Sequence, residues 1–177
     1  MQAMILAAGL GTRLLPYSSI RPKPLFPILN KPLLLLTIER LQNFGFDYII
    51  INCHHLREQI VQATKNLTGV RVIEEEQILG TGGGLRGALP FLKDEPLLVS
   101  NGDIYHTIDY ARLYHQHICR DEQVTLAMHD YPRFHSVSVV GDRVIGFDRR
   151  EGPHLAFTGL HVIDPSILFS METGFSC

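Results

Sequence analysis

A glycine-bracketed turn, Gly9-Leu10-Gly11-Thr12-Arg13, stands directly behind the apolar run Met4-Ile-Leu-Ala-Ala8. Glycines let a chain turn sharply and bring bare backbone N–H groups to a ligand. Successive N–H groups in such a turn form a concavity for anions. Arg13 adds a permanent cation whose planar fork matches phosphate oxygens. Ten residues on, Lys23 lies in Arg21-Pro22-Lys23-Pro24, where two prolines stiffen the backbone that carries it. Together these residues point to a polyphosphate ligand. The alternative is a glycine-rich surface turn with a solvated arginine and lysine, since short motifs of this kind recur by chance.

Two other phosphate motifs do not fit. The dinucleotide fingerprint needs a third glycine or alanine at position 14, where Leu14 stands, and no Gly-x-x-x-x-Gly-Lys-Ser/Thr is present. A nicotinamide dehydrogenase is further disfavoured because position 31 carries Lys31 rather than a ribose-binding acid, although Glu39 is not far.

Two more segments carry chemistry. Gly80-Thr81-Gly82-Gly83-Gly84 follows a strand-like run at Val70 to Ile73. Three consecutive glycines disfavour a regular element, so the segment reads as a loop that a planar base approaches closely, with the Thr81 hydroxyl beside it. A flexible helix entry is the alternative. Glu76 and Gln77, just ahead of it, are weaker candidates for base contact. Asn101-Gly102-Asp103 closes the buried run Leu97-Leu-Val-Ser100. The carboxyl end of a strand in an open α/β sheet is where ligands bind, and a carboxylate there suits Mg²⁺, which takes one or two carboxylates plus substrate phosphates. Asn-Gly-Asp is equally good turn chemistry.

The elements that must position these residues follow from periodicity. Met4 to Ala8, Asp47 to Asn52, Val70 to Ile73, Leu97 to Ser100 and Gln123 to Met128 read as strands. Between them, Leu34, Ile38 and Leu41 recur at helical spacing after Pro32 and before Gly45. Leu56, Ile60 and Ala63 mark a second helix, Gly82 to Leu92 a third, and Asp109 to Cys119 a fourth with Asp109 as N-cap. Strand–helix alternation implies parallel strands joined by crossovers. Later the rhythm changes: Ser136 to Val140 and Arg143 to Phe147 flank Gly141-Asp142, a hairpin signal, and Ala156 to Ile163 reads as a further strand. The predicted fold is α/β, a Rossmann-like three-layer α/β/α sandwich with a mostly parallel mixed sheet.

Bulk properties bound the function. The 177 residues suit one domain, read as 1–177. Sixteen basic against eighteen acidic side chains give a net charge of −2, so no global field recruits nucleic acid or an acidic membrane. No apolar run approaches the ~20 residues that span a bilayer, and Met1-Gln-Ala-Met-Ile-Leu lacks the pattern of a signal peptide. Three cysteines (Cys53, Cys119 and Cys177) without metal spacing favour a reducing cytoplasm. Nine histidines are present, but His54-His55 and His115-x-His117 lack convergent partners and read as surface or structural.

Leu6-Ala-Ala-Gly-Leu-Gly-Thr-Arg-Leu14, then Pro16, then Pro22-Lys23-Pro24-Leu25, resembles the signature of the sugar-1-phosphate nucleotidyltransferases. The likeness runs from Met1 to about Pro165 and is nearest to the N-acetylmuramate-1-phosphate uridylyltransferase and mannose-1-phosphate guanylyltransferase group. It implies that an NTP and a sugar-1-phosphate are the substrates, with Mg²⁺ as cofactor. The resemblance further implies that Leu6, Ala7, Ala8, Gly9, Gly11, Thr12 and Arg13 meet the nucleotide, together with Gly80, Thr81 and Gly82. Arg13, Lys23 and Asp103 would be catalytic, with Asp103 the metal ligand. Lys23 would contact the α-phosphate or the sugar phosphate, and Asn101 the substrate. Thr158 and Gly159, in Phe157-Thr158-Gly159-Leu160, would contact sugar or phosphate, with a plain strand and a bulge glycine as the equal alternative. Where some relatives carry Glu-Glu-Lys-Pro, this chain has Phe147-Asp148-Arg149-Arg150, which leaves contacts by Asp148 or Arg149 in doubt. The family usually continues past the position of Cys177 and supplies a second metal-binding aspartate there. The expectation is therefore a chain lacking the C-terminal part of the family domain, with a nucleotide- or sugar-binding module of little catalysis as the alternative.

Overall fold

The computed structural model describes residues 1–147, 153–171 and 174. Asp148, Arg149, Arg150 and Cys177 lie outside the described residues. Four strands form the parallel half of one sheet: β1 (Gln2–Ala7), β4 (Tyr48–Cys53), β5 (Val70–Glu74) and β6 (Leu97–Asn101). Their order is β5–β4–β1–β6. A short antiparallel ribbon, β2 (Pro27–Ile28) with β3 (Lys31–Pro32), lies off the sheet.

The antiparallel half follows. β10 (His154–Ile163) runs against β6 and also pairs with β7 (Val124–His129) and β8 (Val137–Val140). β8 forms the predicted hairpin with β9 (Arg143–Phe147), closed at Gly141. The mixed sheet thus matches the sequence expectation.

Side chains alternate across the strands, as the two-residue pleat requires. On one face Ala3, Ile5, Ala7, Ile49, Ile51 and Leu98 pack against α1 (Leu33–Asn43), α2 (Arg57–Thr64) and α4 (Tyr110–Arg120) through Leu34, Ile38, Ile60 and Leu113. On the other, Met4, Ile50, Leu97 and Val99 meet Leu85 and Ala88 of α3 (Gly80–Ala88) and Leu168 beyond β10. Three layers result. The N-cap of α4 is made as expected: the Asp109 carboxylate accepts from Arg112 N–H at 2.9 Å.

The helix expected from Gly82 is present, but the loop reading of Gly80 to Gly84 needs correction: these residues form the first turns of α3. Glycine costs a helix about 1 kcal/mol relative to alanine, yet packing leaves no room for a larger residue. A Cβ on Gly83 would lie 2.2 Å from the Gly174 carbonyl oxygen, and one on Gly84 would lie 2.7 Å from Asn52 Nδ2. The glycines admit close neighbours from the protein itself.

Candidate active site

The carboxyl ends of β1, β4 and β6 open into one cleft of about 420 Å³, within the usual range for small-molecule sites. Leu6, Ala7 and Ala8 from the end of β1 continue into the Gly9–Arg13 turn along one side. Ile78, Gly80 and Thr81, from the start of α3, line the opposite side. Asn101 and Asp103 supply the β6 side, and Lys23 and Pro24 approach from the first loop. The four motifs singled out in the sequence, distant along the chain, therefore share a single cavity.

Local folding holds each group in place. The loop after β1 is a chain of short 3₁₀ turns at Thr12–Leu14, Tyr17–Ser19 and Lys23–Leu25, with a cis Leu15-Pro16 peptide between the first two. It is tied to α2 and its entry: His55 Nε2 meets the Ser18 carbonyl at 2.7 Å, and the Gln59 amide donates to the Ile20 carbonyl at 3.0 Å. The turn after β6 is pinned to β1 by Gly102 N–H donating to the Leu6 carbonyl at 2.8 Å. A Cβ on Gly102 would sit 2.8 Å from that same oxygen, so only glycine permits the approach.

Charge is concentrated where the loops meet. Lys23 Nζ donates to Asp103 Oδ2 at 3.2 Å, with the lysine side chain only 15 % exposed. Arg13 lines the cleft, is exposed and, among the described residues, is held by no ion pair. Among the described residues no side chain caps the N-terminus of α3, which leaves its first N–H groups available to a ligand.

Other predicted residues lie elsewhere. Gly82 is buried within α3 and does not line the cleft. The Thr158 hydroxyl donates to the Ala127 carbonyl at 2.8 Å and accepts from Leu160 N–H, so it serves the strand pairing. Gly159 adopts a left-handed φ of 83° and packs on Asn101, whose Nδ2 would lie 2.7 Å from a Cβ there. Glu76 and Gln77 are exposed and off the cleft lining.

Sequence reasoning missed Asn52. It ends the apolar run of β4, lines the cleft and is 2 % exposed. Its Oδ1 accepts from Ala7 N–H at 3.0 Å and its Nδ2 donates to Glu75 Oε1 at 2.7 Å. A signal existed: one amide closing a run of isoleucines at the carboxyl end of a strand.

Cys53, at this end of the sheet, is a poor nucleophile. Cys53 is buried, and burial together with the Glu74 carboxylate pushes its thiol up to about 12. Asp103 suits a hard divalent cation in kind, because it offers a partly exposed carboxylate at a strand end beside a cavity large enough for phosphates. Among the described residues no group of three or more carboxylates, histidines or cysteines forms a protein-only cage. The donor set therefore fits Mg²⁺ shared with substrate phosphates rather than a closed structural site.

Comparison with known proteins identifies the family. The family model described as nucleotidyl transferase matches residues 2–136. An N-acetylmuramate alpha-1-phosphate uridylyltransferase of Neisseria meningitidis is 32% identical over 98% of this chain and 80% of its own length. A D-glycero-alpha-D-manno-heptose 1-phosphate guanylyltransferase of Campylobacter jejuni is 33% identical over 99% of this chain and 82% of its own. The solved structure of HddC from Yersinia pseudotuberculosis superposes with a TM-score of 0.85 at 26% identity, covering 99% of this chain and 81% of that one. HddC has also been solved in complex with GMP-PN. With the matched segment spanning β1, the Lys23 loop, α3 and the Asp103 turn, this chain belongs to the nucleotidyl transferase family.

Proposed function

We propose that the protein transfers a nucleotidyl group from UTP or GTP to a sugar-1-phosphate, giving an NDP-sugar and pyrophosphate in a Mg²⁺-dependent reaction. The observation that carries this reading is the convergence of Arg13, Lys23, Asp103 and the α3 N-terminus on one cleft. Relatives named for uridylyl and guanylyl transfer to sugar-1-phosphates support the substrate class. The cysteines fit a cytoplasmic setting: Cys53 and Cys119 are both free.

The bond changes are simple. An oxygen of the sugar phosphate attacks the α-phosphorus, and the bond from that phosphorus to the bridging oxygen of the β-phosphate breaks. Pyrophosphate leaves with that electron pair. A phosphate monoester has a second pKa near ~6, so the nucleophile is already mostly dianionic at neutral pH. No general base is needed.

Catalysis reduces to positioning and charge neutralisation. Leu6 to Gly9 present backbone to the nucleoside, and Gly80-Thr81 face it from α3. Gly11, Thr12 and Arg13 steady the β,γ-phosphates. Lys23 lies against the α-phosphate, where its ammonium offsets charge as the two phosphates approach. Asn101 orients the sugar phosphate from the end of β6, with Thr158 and Gly159 shaping the backbone next to it. Mg²⁺ held by Asp103 would draw charge from the α-phosphate and the departing pyrophosphate.

A pyrophosphate-release assay with each of the four common NTPs against a panel of sugar-1-phosphates tests the proposal. UTP or GTP with a sugar-1-phosphate is expected to release pyrophosphate only when Mg²⁺ is supplied. Mg²⁺-dependent nucleotide binding without turnover on any pair would reduce the protein to a binding module.

A further inference from the structure

Asn52 and Glu75 are two buried polar side chains that the proposed chemistry does not use, at 2 % and 5 % exposure. Asn52 sits at the end of β4, and Glu75 follows β5. Their hydrogen bonds form one continuous chain. Ala7 N–H donates to Asn52 Oδ1 at 3.0 Å; Asn52 Nδ2 donates to Glu75 Oε1 at 2.7 Å; Leu79 N–H donates to Glu75 Oε2 at 3.3 Å. The two ends of the chain are significant. Ala7 lies in one backbone wall of the cleft, and Leu79 immediately precedes Gly80 and Thr81 in the other.

The rest of the packing serves the same pair. Gly84 lets α3 rest on it, because a Cβ there would meet Asn52 Nδ2 at 2.7 Å and Glu75 Oε1 at 3.1 Å. Backbone bonds fix the Glu75 peptide as well: its N–H donates to the Cys53 carbonyl at 2.8 Å, and its carbonyl meets His54 Nδ1 at 2.9 Å. No ion pair engages Glu75 among the described residues.

We propose that Asn52 and Glu75 are a positioning pair that sets the separation and register of the two backbone walls between which the nucleoside is held. This rests on the nucleotidyltransferase reading and deepens it. Buried hydrogen bonds are directional and costly to break, so a two-side-chain bridge transmits position from one wall to the other. The residue types are dictated by the donors they face. Ala7 N–H requires an oxygen on Asn52, which turns the amide NH₂ toward Glu75. Glu75 faces two N–H donors and must offer an oxygen to each. Glutamine there would aim an NH₂ at one of them. Aspartate at position 52 would aim an oxygen at the Glu75 carboxylate.

That logic allows a transposition. With Asn52→Asp and Glu75→Gln together, the aspartate accepts from Ala7 N–H and from the glutamine NH₂, while the glutamine oxygen accepts from Leu79 N–H. Every bond is remade and the charge is conserved.

The experiment measures Mg-UTP and Mg-GTP affinity by calorimetry, and steady-state KM and kcat, for the wild type, Asn52→Asp, Glu75→Gln and the double variant. Each single variant is expected to weaken nucleotide binding and raise its KM at least about 10-fold, with kcat at saturation within about threefold. The double variant returns both to within about threefold of wild type. Asn52→Ala, which removes two bonds without opposing like groups, keeps the test open where a transposed single variant does not fold. Amide exchange at Ala7 and Leu79, read without nucleotide, reports the bridge itself. Single variants that bind as the wild type does, or a double variant no tighter than the weaker single one, overturn the proposal and leave the nucleotidyltransferase reading standing. A wild type that protects both amides yet binds neither nucleotide overturns that reading, and this proposal with it.

Discussion

Lys23 Nζ and Asp103 Oδ2 lie 3.2 Å apart although 80 positions separate the two residues. The contact joins the first loop to the turn after β6, and both residues line the cleft. A lysine side chain that is 15 % exposed is largely removed from water, so its charge acts on neighbours with little screening. Lys23→Ala and Asp103→Ala are each expected to lower turnover by at least ~100-fold, the scale of one lost electrostatic stabiliser. The check is kcat at saturating substrates, with circular dichroism to verify folding. Turnover near the wild-type value in either variant would remove that residue from the mechanism.

The same pair bears on how the proposed cation would enter. With Mg²⁺ held at Asp103 as proposed, the Lys23 ammonium, which pairs with Asp103 Oδ2 in the free protein, would compete with it. Nucleotide phosphates give Lys23 another anionic partner and give Mg²⁺ further oxygens. Metal and nucleotide should therefore bind with positive coupling, and such coupling is reciprocal. Calorimetric titration with Mg²⁺ is expected to show at least ~10-fold tighter binding when a non-hydrolysable UTP or GTP analogue is present, on the usual scale of coupling energies. Equal Mg²⁺ affinity with and without the analogue contradicts the competition.

Legibility in the sequence followed physical scale. Strand β4 was visible because Ile49, Ile50 and Ile51 are apolar in unbroken succession, and α4 because Asp109 is a capping residue at the right offset. Convergence of Gly9–Arg13, Lys23 and Asp103 was legible from motif types and strand ends. At Gly80–Gly84 only the helix from Gly82 was legible: local propensity opposes a helical start at Gly80, and the need for glycine at positions 83 and 84 comes from the neighbours Gly174 and Asn52. Glu75 was equally hidden. Glu74, Glu75 and Glu76 are identical in type, and only the fold decides that the middle one is buried.

The glycines of α3 give a test of packing against propensity. Gly87 has room: among the described residues a Cβ there would meet only Leu79 Cδ1, at an ordinary 3.7 Å. Gly87→Ala should therefore stabilise the protein by about 0.5–1 kcal/mol through helix propensity and a less flexible unfolded chain. Gly84→Ala gains the same propensity but drives a methyl into Asn52 and Glu75. Overpacking costs about 1–3 kcal/mol, so the net sign reverses. Urea midpoints of the two variants decide the matter. Stabilisation by both would mean that propensity alone controls this helix.

Buried His161 sets an acid limit on stability. Its side chain is 8 % exposed on β10, Nδ1 has no partner among the described residues, and burial lowers its pKa from 6.5 to about 4. Between those two values the unfolded chain binds a proton that the folded one refuses. Stability contributed by the neutral ring is thus fully present above pH 6.5. It is lost as pH falls toward about 4, at up to about 1.4 kcal/mol per pH unit. His106 adds to the loss over the same window, its pKa lowered to about 4 by burial and then by the Arg40 charge. Urea unfolding at half-unit steps from pH 7 to pH 4.5 should show the decline. His161→Leu, which has no proton to bind, should flatten the slope by close to one proton's worth. An unchanged slope in that variant would mean that His161 titrates in the folded protein as it does in the unfolded chain.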